Sequence, residues 1–268
     1  MEEKTYKIEV LISTMHQKDI SLVEKMNIQT DAVIINQCDQ FGFVEENIKN
    51  KRIRMYLFNE RGVAISRNNA LMRATGDICV LADDDVVYVN NYENLILDAF
   101  NQYPDADVIL FNVPSTNPKR PSPYISRNKR IRFFEFMKYG SVNIAFKRKS
   151  ILKANIHFSN LFGSGAQYSS GEDSLFLRDC LQKKLKVYTN QSQIAKVNQQ
   201  ESTWFKGFSE KYFMDKGALF AAMSKRLCWL LILQFAIRKH KIYKNDLKFN
   251  EACKCLISGM REFLKNDK

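Results

Sequence analysis

The chain is poor in the residues that staple small folds or bind zinc. Its six cysteines, Cys38, Cys79, Cys180, Cys228, Cys253 and Cys255, include no CxxC pair. Most stand in apolar segments, which excludes a disulfide frame and a zinc site and predicts reduced core thiols in a cytosolic protein. The three histidines, His16, His157 and His240, share no ligand spacing and read as structural or solvated. Four of the five prolines fall within 114–123, which must be a loop. The apolar run at 227–237, interrupted only by Gln234, falls short of the roughly twenty residues a bilayer-spanning helix needs. The opening MEEKTYKIEV passes from charges straight into a strand pattern, without the apolar core and cleavage site of a signal peptide, so secretion is not expected.

What is present is enough for a full core. A chain of 268 residues with 45% hydrophobic and 12% aromatic content fits one large domain, or a domain with an appendage, and excludes disorder. A formal net charge of +12 favours an anionic partner, whether nucleic acid, anionic lipid or a phosphorylated substrate. Residues 119–153 concentrate that charge, with eleven Lys and Arg against Glu135 alone. Such a run is either a solvated surface or a rim that faces an anion.

Apolar runs at 8–12, 32–35, 53–57 and 78–82 alternate with helical patterns, notably 64–74 and 91–101. This alternation predicts βαβ units and a largely parallel sheet. Further strands are expected at 107–111, 141–146 and 185–189, and a helix at 174–183. After about residue 203 only helical patterns follow, at 209–224, 225–240 and 246–265. The expected organisation is thus a catalytic domain over 1–203 and a helical region over 204–268. The run at 227–237, bounded by Lys225, Arg226, Arg238, Lys239 and Lys241, reads either as a core helix or as one lying in the headgroup layer of an anionic membrane.

The most informative stretch is LADDDV at 81–86, where Asp83, Asp84 and Asp85 end an apolar strand-like segment. Alone, such a triplet reads as a solvated acidic turn. At the carboxyl end of a strand in an open α/β sheet, however, it stands where ligands collect, and clustered oxygen anions there suit Mg²⁺ or Mn²⁺ and a phosphate-bearing substrate. A second acidic pair, Glu172 and Asp173, closes the small-residue stretch FGSGAQYSSGED at 162–173 and opens a helical pattern. First-turn acids often serve only the helix dipole, but the small-residue loop before them leaves backbone room for a substrate and suits a lid.

Together these motifs resemble family 2 glycosyltransferases of the A-type, Rossmann-like fold, from about residue 6 to about 203. The strand KIEVLIST is followed by a second ending in INQCDQ. NERGVAISRNNALMRATGDICVLADDDV then carries the family's glycine, Arg-Asn pair, Gly-Asp and acidic motif in order, and GSGAQYSSGEDSLFLRDCLQKKLKVYT resembles its Glu-Asp motif, helix and next strand. The resemblance implies a mostly parallel central sheet flanked by helices, followed here by the helical region.

It also implies an inverting transfer from a nucleotide-diphosphate sugar. Asp85, with Asp83, would ligate Mn²⁺ or Mg²⁺, while Asp83 and Asp84 stand near ribose and donor sugar. Arg67 would meet the donor or the acidic motif, although Arg67 and Asn68 also read as a structural helix-surface pair. Asp173 would act as general base, with Glu172 its competitor. Two departures from the family pattern stand out. The second strand ends in Asn36, Gln37, Cys38, Asp39, where many relatives carry adjacent acids. Gln37 or Asp39 would then pair with the base, which makes a UDP-sugar the expected donor. In KVNQQESTW, 196–204, Asn198 or Gln199 stands where many relatives place a histidine.

The expected partners are this donor, a glycan or lipid-linked glycan acceptor in surface polysaccharide synthesis, and an anionic membrane surface. The enzyme would be cytoplasmic or peripheral on the inner face of the cell membrane, and no nucleic acid is expected. A nucleotidyltransferase is the enzymatic alternative, but STMHQKD at 13–19 lacks a glycine-rich phosphate loop. A non-catalytic basic adaptor would rest on charge alone, without any nucleic-acid-binding signature.

Overall fold

The alternating apolar runs and helical patterns wind into a nine-stranded sheet in the computed structural model, which describes residues 6–118, 120–133, 135–199 and 207–266. The strands are β1 (Ile8–Met15), β2 (Asp31–Gln37), β3 (Gly42–Ile48), β4 (Lys51–Phe58), β5 (Ile78–Asp83), β6 (Val86–Tyr88), β7 (Val108–Asn112), β8 (Lys129–Arg130), β9 (Ile144–Lys147), β10 (Val187–Gln193) and β11 (Ala195–Val197). The helices are α1 (Leu22–Lys25), α2 (Val63–Arg73), α3 (Tyr92–Gln102), α4 (Arg148–Lys153), α5 (Glu172–Gln182), α6 (Glu210–Met223), α7 (Cys228–Tyr243) and α8 (Phe249–Asn266). The sheet order is β3-β4-β2-β1-β5-β9-β7-β10-β8, and β11 pairs with β6 in a separate ribbon.

The expected mostly parallel α/β sheet is present, since β1, β2, β4, β5, β7 and β10 all point one way. Three strands run against them. β9 lies between β5 and β7, β8 closes one edge, and β3 forms a hairpin with β4 at the other. The hairpin turns through Lys49 and Asn50, both at positive φ, the backbone of a turn that matches strand twist. β3 was not expected from the sequence because most of it is exposed, so it carries no apolar alternation.

Side chains alternate between the two faces of the sheet. Leu11, Val33, Cys79 and Leu81 join one core with α2, α5 and the C-terminal helices. Val10, Ile34, Val80 and Ala82 join another with α1 and α3. Helices α6, α7 and α8 therefore share a core with the sheet. The expected boundary at 203 and 204 lies outside the described residues. Within the helical region, α6 and α8 touch backbone to backbone. A Cβ on Gly217 would stand 1.9 Å from the Leu256 carbonyl oxygen, and one on Gly259 would stand 1.9 Å from that of Met214.

No described helix is long and apolar enough to cross a membrane. All six cysteines are free, four of them buried.

Candidate active site

The winding reverses between β1 and β5, and their carboxyl ends form one side of a cleft of about 1300 Å³. Register sets Ser13 of β1 opposite Asp83 of β5, and Met15 opposite Gln37 of β2. The acidic triplet therefore projects where an open α/β sheet gathers its ligands. A smaller hollow of about 340 Å³ at the amino ends of the strands is lined by Lys7, Asp31, Lys51, Arg52 and Glu93. Its charges are already paired, among them Lys7 with Asp31 at 2.7 Å and Lys51 with Glu93 at 3.6 Å, and it presents no reactive group.

Arg67, from α2, joins the two acidic motifs. One guanidinium nitrogen donates to Glu172 Oε1 at 2.7 Å, and the other to Asp83 Oδ1 at 2.9 Å and to Ser141 Oγ at 2.8 Å. Arg67 is only 3% exposed, and burial works against its charge. Asp83 and then Glu172 outweigh that cost and hold its pKa above the ordinary arginine value. The guanidinium also lies 5.7 Å from the Phe158 ring centre. Asn68 points elsewhere. Its amide donates to Phe158 O at 2.9 Å and Asn160 Oδ1 at 3.0 Å, and its oxygen accepts from Phe158 N at 2.9 Å. The Arg-Asn pair is thus split between the cleft and a structural clamp.

The other acids of the triplet differ in their partners. Asp84 accepts from Thr14 Oγ1 at 2.5 Å. Asp85 lines the cleft, and burial, then Asp83 and Asp84, push its carboxyl up to about 7. Its backbone carbonyl accepts from Asn198 N at 3.0 Å, and both Asn198 and Gln199 line the cleft beside it, where the sequence comparison expects a relative's histidine.

Among the described residues no three His, Cys, Asp or Glu side chains converge as a closed metal cage. The donor set fits instead a hard ion held by one or two carboxylates and completed by substrate phosphate oxygens, as is usual for Mg²⁺. The cost of ionising Asp85 beside two further acids is what a bound cation would relieve.

Across the cleft, Glu172 and Asp173 begin α5. Gly171 precedes them at φ +119°, with a would-be Cβ 2.5 Å from Leu219 of α6, so both backbone shape and contact require glycine there. Glu172 is committed to Arg67 and to the Gly171 amide, 3.1 Å away. Asp173 accepts from the Ser174 amide at 2.6 Å and lines the cleft. Burial and then Glu172 push its carboxyl up to about 6, with Arg67 and Lys216 pulling the other way.

Gln37 lines the cleft but its amide already donates to Gly62 O at 3.1 Å. Asp39 pairs with Arg61 and is not among the residues lining the cleft, whereas Arg61 is. From the basic segment, Arg120 and Lys138 reach the cleft, and Arg120 Nη1 is buried without a hydrogen-bond partner, a donor that an anion there would satisfy. Other bases of the segment serve structure, Lys147 donating to Pro104 O and Arg148 to Gly76 O.

Sequence reasoning missed the support for the second motif. Ser169 N donates to the buried Asp215 at 3.0 Å, Lys211 to Gln167 O at 3.1 Å, and Lys216 to Ser170 Oγ at 3.2 Å. Beneath the loop, Phe162 packs 5.8 Å from Phe263 of α8 and 4.9 Å from Tyr168. Thus α6 and α8 hold the loop that presents Asp173. The only sequence signal was the unexplained acid and lysines on one face of an otherwise apolar helix.

Residues 30–160 match the family described as glycosyl transferase family 2. Over that stretch, just under half of its length, the chain is similar to glycosyltransferases of family 2. Its fold is similar to that of the 1–349 segment of S. aureus TarS in complex with UDP-GlcNAc, at TM-score 0.69 and 13% identity, covering 97% of this chain and 81% of that one. The same TarS segment in complex with UDP gives TM-score 0.64 and 13% identity, with 97% and 82% coverage. Against a longer TarS structure the values are TM-score 0.66 and 13% identity, and this chain spans 49% of it. At this identity the likeness concerns the A-type fold. No curated protein matches this chain in sequence.

Proposed function

We propose that this enzyme transfers a sugar, with inversion, from a UDP-sugar to a hydroxyl of a glycan or lipid-linked glycan in surface polysaccharide synthesis. The observation that carries this reading is Arg67 gripping both Asp83 and Glu172, which leaves Asp84, Asp85 and Asp173 as the acids of the two motifs without a side-chain ion pair, Asp84 being bonded to the Thr14 hydroxyl. Asp85, with Asp83, would hold Mn²⁺ or Mg²⁺, and a bound ion would supply charge stabilisation to the departing diphosphate.

Asp173 takes the proton of the acceptor hydroxyl. The acceptor oxygen bonds to the anomeric carbon as its bond to the β-phosphate oxygen breaks, and the nucleoside diphosphate leaves with the electron pair. Arg67 fixes the spacing of the two motifs, and Arg120 offers its orphaned donor to an anionic group. Asp84 stands near the ribose and donor sugar, and Gln37, which lines the cleft, reads the base, while Asp39, outside the cleft lining, acts on it only through Arg61. TarS, with UDP-GlcNAc and UDP bound, supports the choice of a uridine nucleotide.

Helix α7 supports a membrane-held acceptor and a peripheral, cytoplasmic location. It buries Cys228, Ile232, Phe235 and Ala236 yet exposes Trp229, Leu230, Leu233 and Ile237. The latter form an apolar stripe ringed by Arg226, Arg238 and Lys241, which suits an anionic lipid surface.

The test is to incubate the protein with a series of nucleotide-sugars and Mn²⁺, follow donor hydrolysis, and determine the anomeric configuration of the product by NMR. Release of UDP with inverted sugar is expected. A retained configuration would defeat the single displacement.

A further inference from the structure

We propose that Lys216, presented by α6 on the wall of the cleft, is a positioning residue that keeps the Asp173 carboxylate charged and available. The proposal rests on the reading of Asp173 as the general base. Its basis is the arrangement of charge. The cleft gathers Asp83, Asp84, Asp85, Glu172 and Asp173, and the nearest guanidinium, Arg67, spends its donors on Glu172, Asp83 and Ser141. Asp173 therefore needs a second cation.

Lys216 lines the same cleft, and its ammonium donates to Ser170 Oγ at 3.2 Å, three residues before Asp173. The frame around it is firm. Asp215 accepts from Ser169 N on the same loop, Leu219 fills the space against Gly171, and Gly217 lies on the backbone of α8. These contacts fix α6 on both sides of Lys216, so its ammonium is delivered to the loop rather than to solvent.

The charges that face Asp173 are Glu172 from its own helix, Arg67 from α2 and Lys216 from α6, while Lys216 in turn faces Asp173, Glu172, Asp215 and Lys239 of α7. Burial pulls the Lys216 ammonium below its ordinary pKa and the three carboxylates oppose that pull. The two half-buried groups therefore each favour the charged form of the other.

A purely structural role, a clamp on Ser170, would lower thermal stability and leave the titration of Asp173 where it is. The experiment uses the full, metal-free chain with carboxyl-labelled aspartate, the Asp173 carbon signal being identified by its absence in Asp173→Asn. Lys216→Met is expected to raise the Asp173 midpoint by about one pH unit, the low end for loss of a close opposite charge, and Lys216→Arg to return it towards that of the parent. Lys216→Gln, which keeps a donor for Ser170 but no charge, provides the same reading if the methionine variant does not fold. An unchanged midpoint in either folded neutral variant would overturn the proposal. Failure of the base assignment shows separately, as normal turnover in Asp173→Asn while the Lys216-dependent midpoint persists.

Discussion

At the residue scale, the cleft pairs some carboxylates and leaves others exposed to one another's charge, and each condition has a measurable result. Burial, then Asp83 and Asp84, push the Asp85 carboxyl up from the ordinary 3.8 to about 7. The folded protein therefore holds its proton more tightly than the unfolded chain does. The stability carried by protonated Asp85 is full below about pH 3.8 and drains away as pH rises through 7. Asp85→Asn removes that cost, so at pH 8 the metal-free variant should melt higher than the parent in calorimetry. The same variant should lose most of its Mn²⁺-dependent affinity for UDP, because a charged ligand is gone. Metal-dependent affinity equal to that of the parent would remove Asp85 from the ion's ligands.

Asp173 sets a second pH dependence. A base must be ionised, and burial raises this one to about 6, so turnover should fall about tenfold per pH unit below that point. Asp173→Asn should lower turnover by about two to four orders of magnitude with donor affinity little changed. Glu172→Gln should be milder in turnover. It should also be less stable, since taking one partner from a buried ion pair typically costs about 3–5 kcal/mol, less whatever hydrogen bond the amide retains. Collapse of turnover in Glu172→Gln with near-normal Asp173→Asn would transfer the role of base.

The placement of the acids was legible in the sequence, since β5 ends at Asp83 and α5 begins at Glu172, as the apolar run before the first motif and the helical pattern after the second predict. Their division of labour was not legible. Asp83 and Glu172 are 89 residues apart in sequence, and nothing local says that one arginine will hold both. Asn68 shows the same limit, because its clamp on Phe158 and Asn160 exists only once the chain has folded.

At the scale of elements, strands and helices that bury a face were legible, and those that bury little were not. Strand β1 is buried over all but its last residue, whereas β3 exposes most of its length and is held by pairing to β4 with only Val44 and Ile48 reaching the core. Helix α6 is the element that holds the loop before Asp173, and its crossing with α8 leaves no room for a side chain. Gly217→Ala would drive a Cβ into the Leu256 carbonyl and should cost about 1–3 kcal/mol or more, the usual penalty for overpacking. Denaturant unfolding measures that cost. Turnover of the folded fraction should fall as well, since α6 carries Asp215 and Lys216 against the loop. Full activity in a destabilised Gly217→Ala protein would separate the helix pair from the site.

At the scale of the whole molecule, the net charge of +12 is divided between structural bonds, the cleft rim and the flanks of α7. The stripe of Leu230, Leu233 and Ile237, exposed by 64%, 53% and 61%, predicts co-sedimentation with vesicles containing anionic lipid, weakening as salt screens the basic flanks. Leu233→Glu should abolish lipid binding while leaving UDP affinity intact. Failure of the parent to bind such vesicles at low salt would instead make the stripe a contact between proteins. The run at 227–237 had two readings in the sequence, core helix or helix docked on an anionic membrane; α7 buries Cys228, Ile232, Phe235 and Ala236 as the first requires, and the vesicle assay tests the second.

The packing of Phe263 beneath Phe162 also bears on time. The ribosome makes the loop that carries Asp173 about a hundred residues before it makes Phe263, a delay of roughly 5 to 20 s at ordinary rates of synthesis. Through that interval the sheet side of the cleft can already form while the loop opposite has no floor beneath it. A nascent chain therefore completes the two walls of its cleft at different times, the second only as α8 docks.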